Sequence, residues 1–186
     1  MGSKALIVID MQHISFTPRT VRFDTVGVIA RINALSHYFR KAGNPVLFIQ
    51  HDGTKEGACL PCTEEWKLLP ELDIAPADQI VPKTANDAFY RSDLMPILSE
   101  RGVKELVITG CATDFCVDAT VQSALVHDYA VTVVQDGHTT ADRPHGRAEQ
   151  LIAHYNWVWQ NMIPTQGCIR VLPASEILTT ELTAKP

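Results

Sequence analysis

No apolar run in the 186-residue sequence approaches the roughly 20 consecutive residues that a membrane-spanning helix needs. The N-terminus also lacks a basic stretch followed by a signal-type apolar segment. These absences predict a compact soluble chain in the cytoplasm with no membrane partner. Positive charge is short as well: 16 Lys and Arg stand against 21 Asp and Glu, a formal net charge of -5 at pH 7. Nucleic acids and anionic membranes recruit clustered Lys and Arg, so this balance argues against a nucleic-acid partner and for a small-molecule one. Cysteine is sparse and odd in number, five in all. A chain of this length buries its own core without staples, and a reducing compartment is expected rather than a disulfide framework. Internal repeats, low-complexity tracts and linkers are missing too, which predicts one domain over residues 1–186.

What is present is an alternation of strand-like apolar runs with amphipathic segments, the pattern of an α/β fold. "KALIVID" (4–10), "PVLFIQ" (45–50), "QIVPK" (79–83), "ELVITG" (105–110), "AVTVVQD" (130–136) and "CIRVL" (168–172) read as strands. Between the first two, Val28, Ile32, Leu35 and Phe39 keep helical spacing, and Gly43 with Pro45 beyond it marks the stop. "SDLMPILSERG" (92–102) reads as a helix interrupted or started late by Pro96, a further helix is expected to begin near Cys116, and another spans Ala148 to Met162. The predicted architecture is a Rossmann-like three-layer α/β/α sandwich around a mostly parallel sheet of about six strands. Residues 52–77 are polar and exceed a usual connection, and long loops of this kind are commonly functional, as a lid for example.

In open parallel sheets the ligand crevice lies outside the carboxyl ends of the strands. Asp10 closes the first strand, Lys83 the third, and Cys116 lies just past the fourth. Singly, an Asp after a strand is commonly a turn residue, a strand-end Lys is commonly solvated, and a buried Cys is commonly a small hydrophobe. All three at one rim form the stronger signal. In "ITGCATDFCVDAT" (108–120), Cys116 is favoured over Cys111 as a nucleophile. A thiol at a helix N-terminus beside a lysine is expected to be stabilised as thiolate, whereas Cys111 falls in the preceding turn.

"LIVIDMQ", "VPKTANDAF" and "GCATDFCVDAT", in this order and spacing, resemble the signature segments of the isochorismatase-like cysteine hydrolases, a superfamily that also holds nicotinamidases and carbamoylsarcosine amidases. The resemblance runs from residue 4 to about 172. It implies a parallel sheet flanked by helices and a triad of Asp10, Lys83 and Cys116. It further implies backbone N–H donors at Ala112 and Cys116 for an oxyanion, aimed by a cis peptide between Cys111 and Ala112. The implied chemistry is hydrolysis of a C–N bond in a small amide, ureido or carbamoyl compound through a thioester. Isochorismatase-type cleavage of a vinyl ether is the alternative within the superfamily, and a noncatalytic binding protein on the same fold is the alternative outside catalysis.

The nicotinamidases of the superfamily hold a metal through Asp-x-His after the second strand. That order is missing in "QHDGTKEGACLPCTEEW", where His51 and Asp52 are adjacent, so neither a metal nor any other cofactor is expected. Cys59 and Cys62 make a C-x-x-C that reads as a redox dithiol, as half of a zinc site with Cys111 and Cys116, or as incidental loop cysteines. Gln12, Phe16, His51, Trp66, Tyr90, Thr113 and Phe115 lie in or beside the segments at the rim and are the candidate substrate contacts, each also explicable as packing or backbone satisfaction. Arg91 is the arginine nearest in sequence to a triad segment, which argues against dianionic substrates. The aromatic helix "HYNWVWQNM" (154–162) and the resemblance together predict a homo-oligomer, a dimer or tetramer.

Overall fold

Apart from one pair of successive strands joined by a long loop, strands and α-helices alternate along the chain in the computed structural model, which describes residues 3–180. Their order is β1 (Ser3–Ile9), α1 (Thr25–Lys41), β2 (Val46–His51), β3 (Gln79–Lys83), α2 (Leu94–Glu100), β4 (Val103–Cys111), α3 (Asp118–Val126), β5 (Ala130–Thr139), α4 (Ala148–Gln160), β6 (Ile169–Leu172) and α5 (Ala174–Thr180). All six strands join one parallel sheet in the order β3-β2-β1-β4-β5-β6. The chain therefore winds outward in both directions from the β1/β4 pair, and the reversal opens a crevice at the carboxyl ends of those two strands.

Burial on both faces explains why the inner strands β1, β2 and β4 read as largely apolar runs rather than alternating ones. Along β1, Ala5, Ile7 and Ile9 pack on one side with Leu94 and Leu98 of α2, Val121 and Leu125 of α3, and Trp159 of α4. Leu6 and Val8 point the other way, onto Val28, Ile32, Leu35 and Phe39 of α1, with Ala174 of α5 beside them. Period-two alternation in the strand and the i, i+4, i+7 stripe of α1 thus meet in one core layer.

The sheet matches the expected α/β architecture and fixes three details differently. β5 continues past Asp136: a register irregularity opposite the Ile108–Gly110 step brings His138 and Thr139 alongside Gly110 and Cys111. The helix expected near Cys116 begins earlier, as a wide π-type turn over Thr113–Val117 in which the Ala112 carbonyl accepts the N–H groups of Phe115 and Val117, both at 3.1 Å. Regular α geometry starts only at Asp118. The short α5 carries too few residues for its period to be read from sequence. Pro96 sits in the first turn of α2, where its missing N–H has no intrahelical partner to lose. No helix among the described residues is long and apolar enough to cross a membrane.

Candidate active site

Asp10 leaves β1 with φ of 47°, a left-handed conformation uncommon outside glycine. Its N–H is held by the Ile49 carbonyl of β2 (3.0 Å), and its own carbonyl takes the Gln12 N–H (2.9 Å). Opposite, Gly110, the next-to-last residue of β4, has φ of +119°; a Cβ there would lie 2.2 Å from the Ile9 carbonyl oxygen. Only glycine lets the two strand ends approach this closely, and that approach sets the carboxyl of Asp10 beside the turn bearing Cys116. The Cys111–Ala112 peptide that enters this turn is cis.

Lys83 reaches the same spot from the end of β3, on the far side of β2. Its ammonium donates to the Ala85 carbonyl (2.8 Å) and to Cys116 Sγ (3.4 Å), and it pairs with Asp10 Oδ2 at 2.7 Å. These three contacts use the three donors of an ammonium group. Lys83 and Asp10 are 1% and 6% exposed, so the pair is a buried one. Burial alone would lower the Lys83 pKa, but the adjacent Asp10 carboxylate, with Cys116 beside it, more than offsets this and the net shift is upward. Asp10 Oδ1 is buried with no hydrogen-bond partner.

The Cys116 thiol is raised well above its ordinary pKa, by burial first and then by the field of Asp10, with Lys83 pulling the other way. This corrects the expectation of a standing thiolate. The π-type turn replaces a regular helix N-terminus, and a carboxylate stands beside the lysine. Cys116 therefore rests as a thiol, next to a carboxylate oxygen with a free lone pair. Its hydrogen points to Asn86 Oδ1 at 3.5 Å. Cys111 is fully enclosed, and burial pushes its thiol up to about 12.

Asp10, Asn86, Cys111 and Cys116 line a cleft of about 280 Å³, at the compact end of small-molecule sites; Lys83 lies buried behind them. Gln12, His51, Phe115 and Ala112 line it as well. Gln12 has little left to offer a substrate: its amide nitrogen donates to the carbonyls of His51 (3.0 Å) and Trp66 (2.8 Å), and its oxygen accepts the His51 N–H (2.7 Å). It pins the 52–77 segment to the end of β2. His51 stands 3.7 Å from Glu56, with its Nδ1 buried and unpartnered. Phe115 is 48% exposed at the mouth, with the Arg143 guanidinium 4.8 Å from its ring centroid.

The other candidate contacts lie elsewhere. Phe16 packs against the α1 side of the core. Trp66 serves through its carbonyl, which also accepts Gln50 Nε2 (2.9 Å). Tyr90 is exposed and stacks under Arg91, away from the cleft. Thr113 is buried, sharing a 2.8 Å hydrogen bond with His138 Nδ1. None of these four lines the cleft, because strand-end aromatics and hydroxyls here satisfy the core and the turn.

Five cleft residues escaped the sequence reading: Ile14 and Ser15, in the loop after β1, and Arg22, Asn86 and Arg143. Asn86 stands inside the quoted "VPKTANDAF" and was legible there as a polar side chain beside Lys83. Arg22 and Arg143 lie far in sequence from every signature segment and carry no such signal. Their presence removes the argument from Arg91 against acidic substrates, since that argument measured proximity along the chain. Arg143 is committed to Asp114, Nε to Oδ2 at 2.7 Å and Nη2 to Oδ1 at 3.0 Å. Those bonds, with Thr140 Oγ1 at 2.6 Å, hold the Asp114 carboxyl below its usual range although burial opposes it.

No three His, Cys, Asp or Glu side chains converge as a metal site among the described residues, so the donor set does not fit the metal that nicotinamidases hold. Cys59 is buried against Gln12 and Cys62 is exposed, and both are free thiols. Burial pushes the Cys59 thiol up to about 11, which suits a packing cysteine better than a redox one.

The fold agrees with what comparison with known proteins finds. A streptothricin hydrolase of Streptomyces noursei is 32% identical over 141 residues, 76% of this chain and 56% of that protein. A ureidoacrylate amidohydrolase, RutB of Pseudomonas syringae pv. syringae, is 29% identical over 172 residues, covering 73% of this chain and 70% of that one. The chain thus spans only about half the length of the streptothricin hydrolase. A solved isochorismatase family protein superposes with a TM-score of 0.83 at 29% identity, covering 91% of this chain and 97% of that one. The isochorismatase domain profile itself matches residues 4–161, and the chain belongs to the isochorismatase family.

Proposed function

We propose that this protein hydrolyses a C–N bond of a small amide, ureido or carbamoyl compound, with Cys116 as nucleophile, Asp10 as proton carrier and Lys83 as their charged support. One observation carries this reading: the buried Lys83 ammonium bridges Asp10 (2.7 Å) and Cys116 (3.4 Å), both of which line the cleft, while the second carboxylate oxygen, Asp10 Oδ1, has no hydrogen-bond partner. That oxygen takes the thiol proton as Sγ forms its bond to the carbonyl carbon. Proton removal and attack are coupled because the thiol is not ionised beforehand.

The carbonyl π electrons move to oxygen, which the N–H groups of Ala112 and Cys116 stabilise; one such donor is typically worth about 2.7–4 kcal/mol in the transition state. Protonated Asp10 then gives its proton to the departing nitrogen, the C–N bond breaks and a thioester remains. Water attacks that thioester while Asp10 accepts a proton from it, and the released sulfur recovers its proton from Asp10. One amide and one water become one acid and one amine, and the enzyme is restored. The relatives named for streptothricin and for ureidoacrylate hydrolysis support the C–N reading over vinyl-ether cleavage, which needs protonation rather than a thiol.

A panel of small primary amides and N-carbamoyl amino acids, assayed for ammonia, tests the proposal, with isochorismate as the competing substrate. Turnover of panel members that Cys116→Ala reduces by at least about 10³-fold is the expected result. Turnover of isochorismate alone, undiminished in that variant, contradicts it.

A further inference from the structure

We infer that Arg22 is the specificity residue of this cleft and that the substrate carries one carboxylate, or an equally compact single negative charge, on the side opposite its scissile C–N bond. The inference rests on the proposed amide hydrolysis for the scissile bond, and on Arg22 itself for the charge. Arg22 lines the same cleft as Asp10 and Cys116. Its backbone is fixed by an antiparallel bridge to Ala141, and its Nε donates to the Ser15 carbonyl at 2.7 Å. Its Nη1 is buried and has no hydrogen-bond partner. A guanidinium nitrogen withdrawn from solvent without an acceptor is unfavourable unless something else supplies one.

The charges around the cleft show what that something is. Lys83 is matched by Asp10 and Arg143 by Asp114, and each of those pairs is neutral. Arg22 makes no ion pair among the described residues, so the cleft holds one uncompensated positive charge. A guanidinium with a fixed Nε and a free nitrogen receives a carboxylate well, in a planar and charge-assisted contact. The small volume restricts the bearer to a compact molecule, such as an N-carbamoyl amino acid or a short ureido acid. A dianion would leave its second charge without a partner, because Arg143 is already occupied.

Two measurements separate this inference from the hydrolytic reading. In the first, kcat/KM for N-carbamoylglycine and N-carbamoyl-β-alanine is compared with that for their methyl esters, in wild type and in Arg22→Gln and Arg22→Lys. The anion-to-ester ratio is expected to fall about 30-fold in Arg22→Gln, the loss of a charge-assisted contact, and to recover in part in Arg22→Lys. A ratio that does not move overturns the inference. In the second, alkylation of Cys116 by iodoacetate and by iodoacetamide is followed by mass spectrometry. The iodoacetate-to-iodoacetamide rate ratio is expected to drop about threefold or more in Arg22→Gln, since the removed charge no longer draws the anion inward. An unchanged ratio again overturns the inference. If wild type hydrolyses none of the four compounds, the hydrolytic reading fails for this class and the alkylation ratio alone decides the role of Arg22.

Discussion

Lys83 is held charged inside the protein chiefly by the Asp10 carboxylate beside it. Removing one partner strands the other. Lys83→Met leaves a buried carboxylate with neither a counter-ion nor a partner for Oδ2, and we expect it to lower unfolding free energy by about 3–5 kcal/mol. Asp10→Asn in the Lys83→Met background should restore part of that loss, because a neutral amide needs no counter-ion. Urea unfolding of the two single variants and the double measures the coupling; strictly additive losses would mean that the pair does not interact in the folded state. The sequence placed both residues at strand ends but left their distance open. Lys83 reaches its partner across β2, a fact of strand order rather than of spacing along the chain.

At the scale of elements, the decisive feature is how β4 and β5 hand over to the turn that carries Cys116. The irregularity in β5 sets His138 beside Gly110, where it joins Thr113 of the turn (2.8 Å) to Asn156 of α4 (3.0 Å). Burial lowers the His138 pKa to about 4, against its hydrogen bond to Asn156, which acts the other way. The unfolded chain therefore binds a proton at this residue, with pKa near 6.5, that the folded chain refuses until about pH 4. Stability from His138 is complete above the unfolded value and is lost as pH falls between the two. From pH 7.5 to 5.5 the loss should be about 1.4 kcal/mol. His138→Asn should flatten that part of the stability profile in urea titrations, and an equally steep profile in the variant would assign the effect to other groups. Strands β1, β2 and β4 and the stripe of α1 were legible because burial on two faces writes continuous apolar runs, and burial on one helix face a period-3.6 stripe, into the sequence. The β5 extension and the π-type turn were not, since both depend on pairing with residues far away along the chain.

The whole molecule brings together what the chain keeps apart. Arg22, Asn86, Cys116 and Arg143 meet in one cleft only because the order β3-β2-β1-β4-β5-β6 gathers the carboxyl ends of the strands. Signature segments disclosed the proposed reacting groups but not Arg22 and Arg143, which sit in loops with no periodic pattern. On α4, Trp159 is fully buried, its Nε1 donating to Asp118 Oδ1 at 2.9 Å, while Trp157 is 63% exposed beside a groove shared with α1. An indole left this open suits a subunit contact. Light scattering should return two or four times the chain mass of 20.6 kDa, and a particle of one chain mass would end the expectation of an oligomer.

The central claim is a covalent one, that carbonyl carbon becomes bonded to Cys116 Sγ. Wild type mixed with a panel member that it turns over, quenched in acid within the first turnovers and digested, tests it directly. The account predicts that the peptide containing Cys116, and not those containing Cys59, Cys62, Cys111 or Cys168, gains the mass of the acyl group and loses it on treatment with hydroxylamine. Sustained turnover with every cysteine peptide unmodified, and with Cys116→Ala as active as wild type, would contradict it.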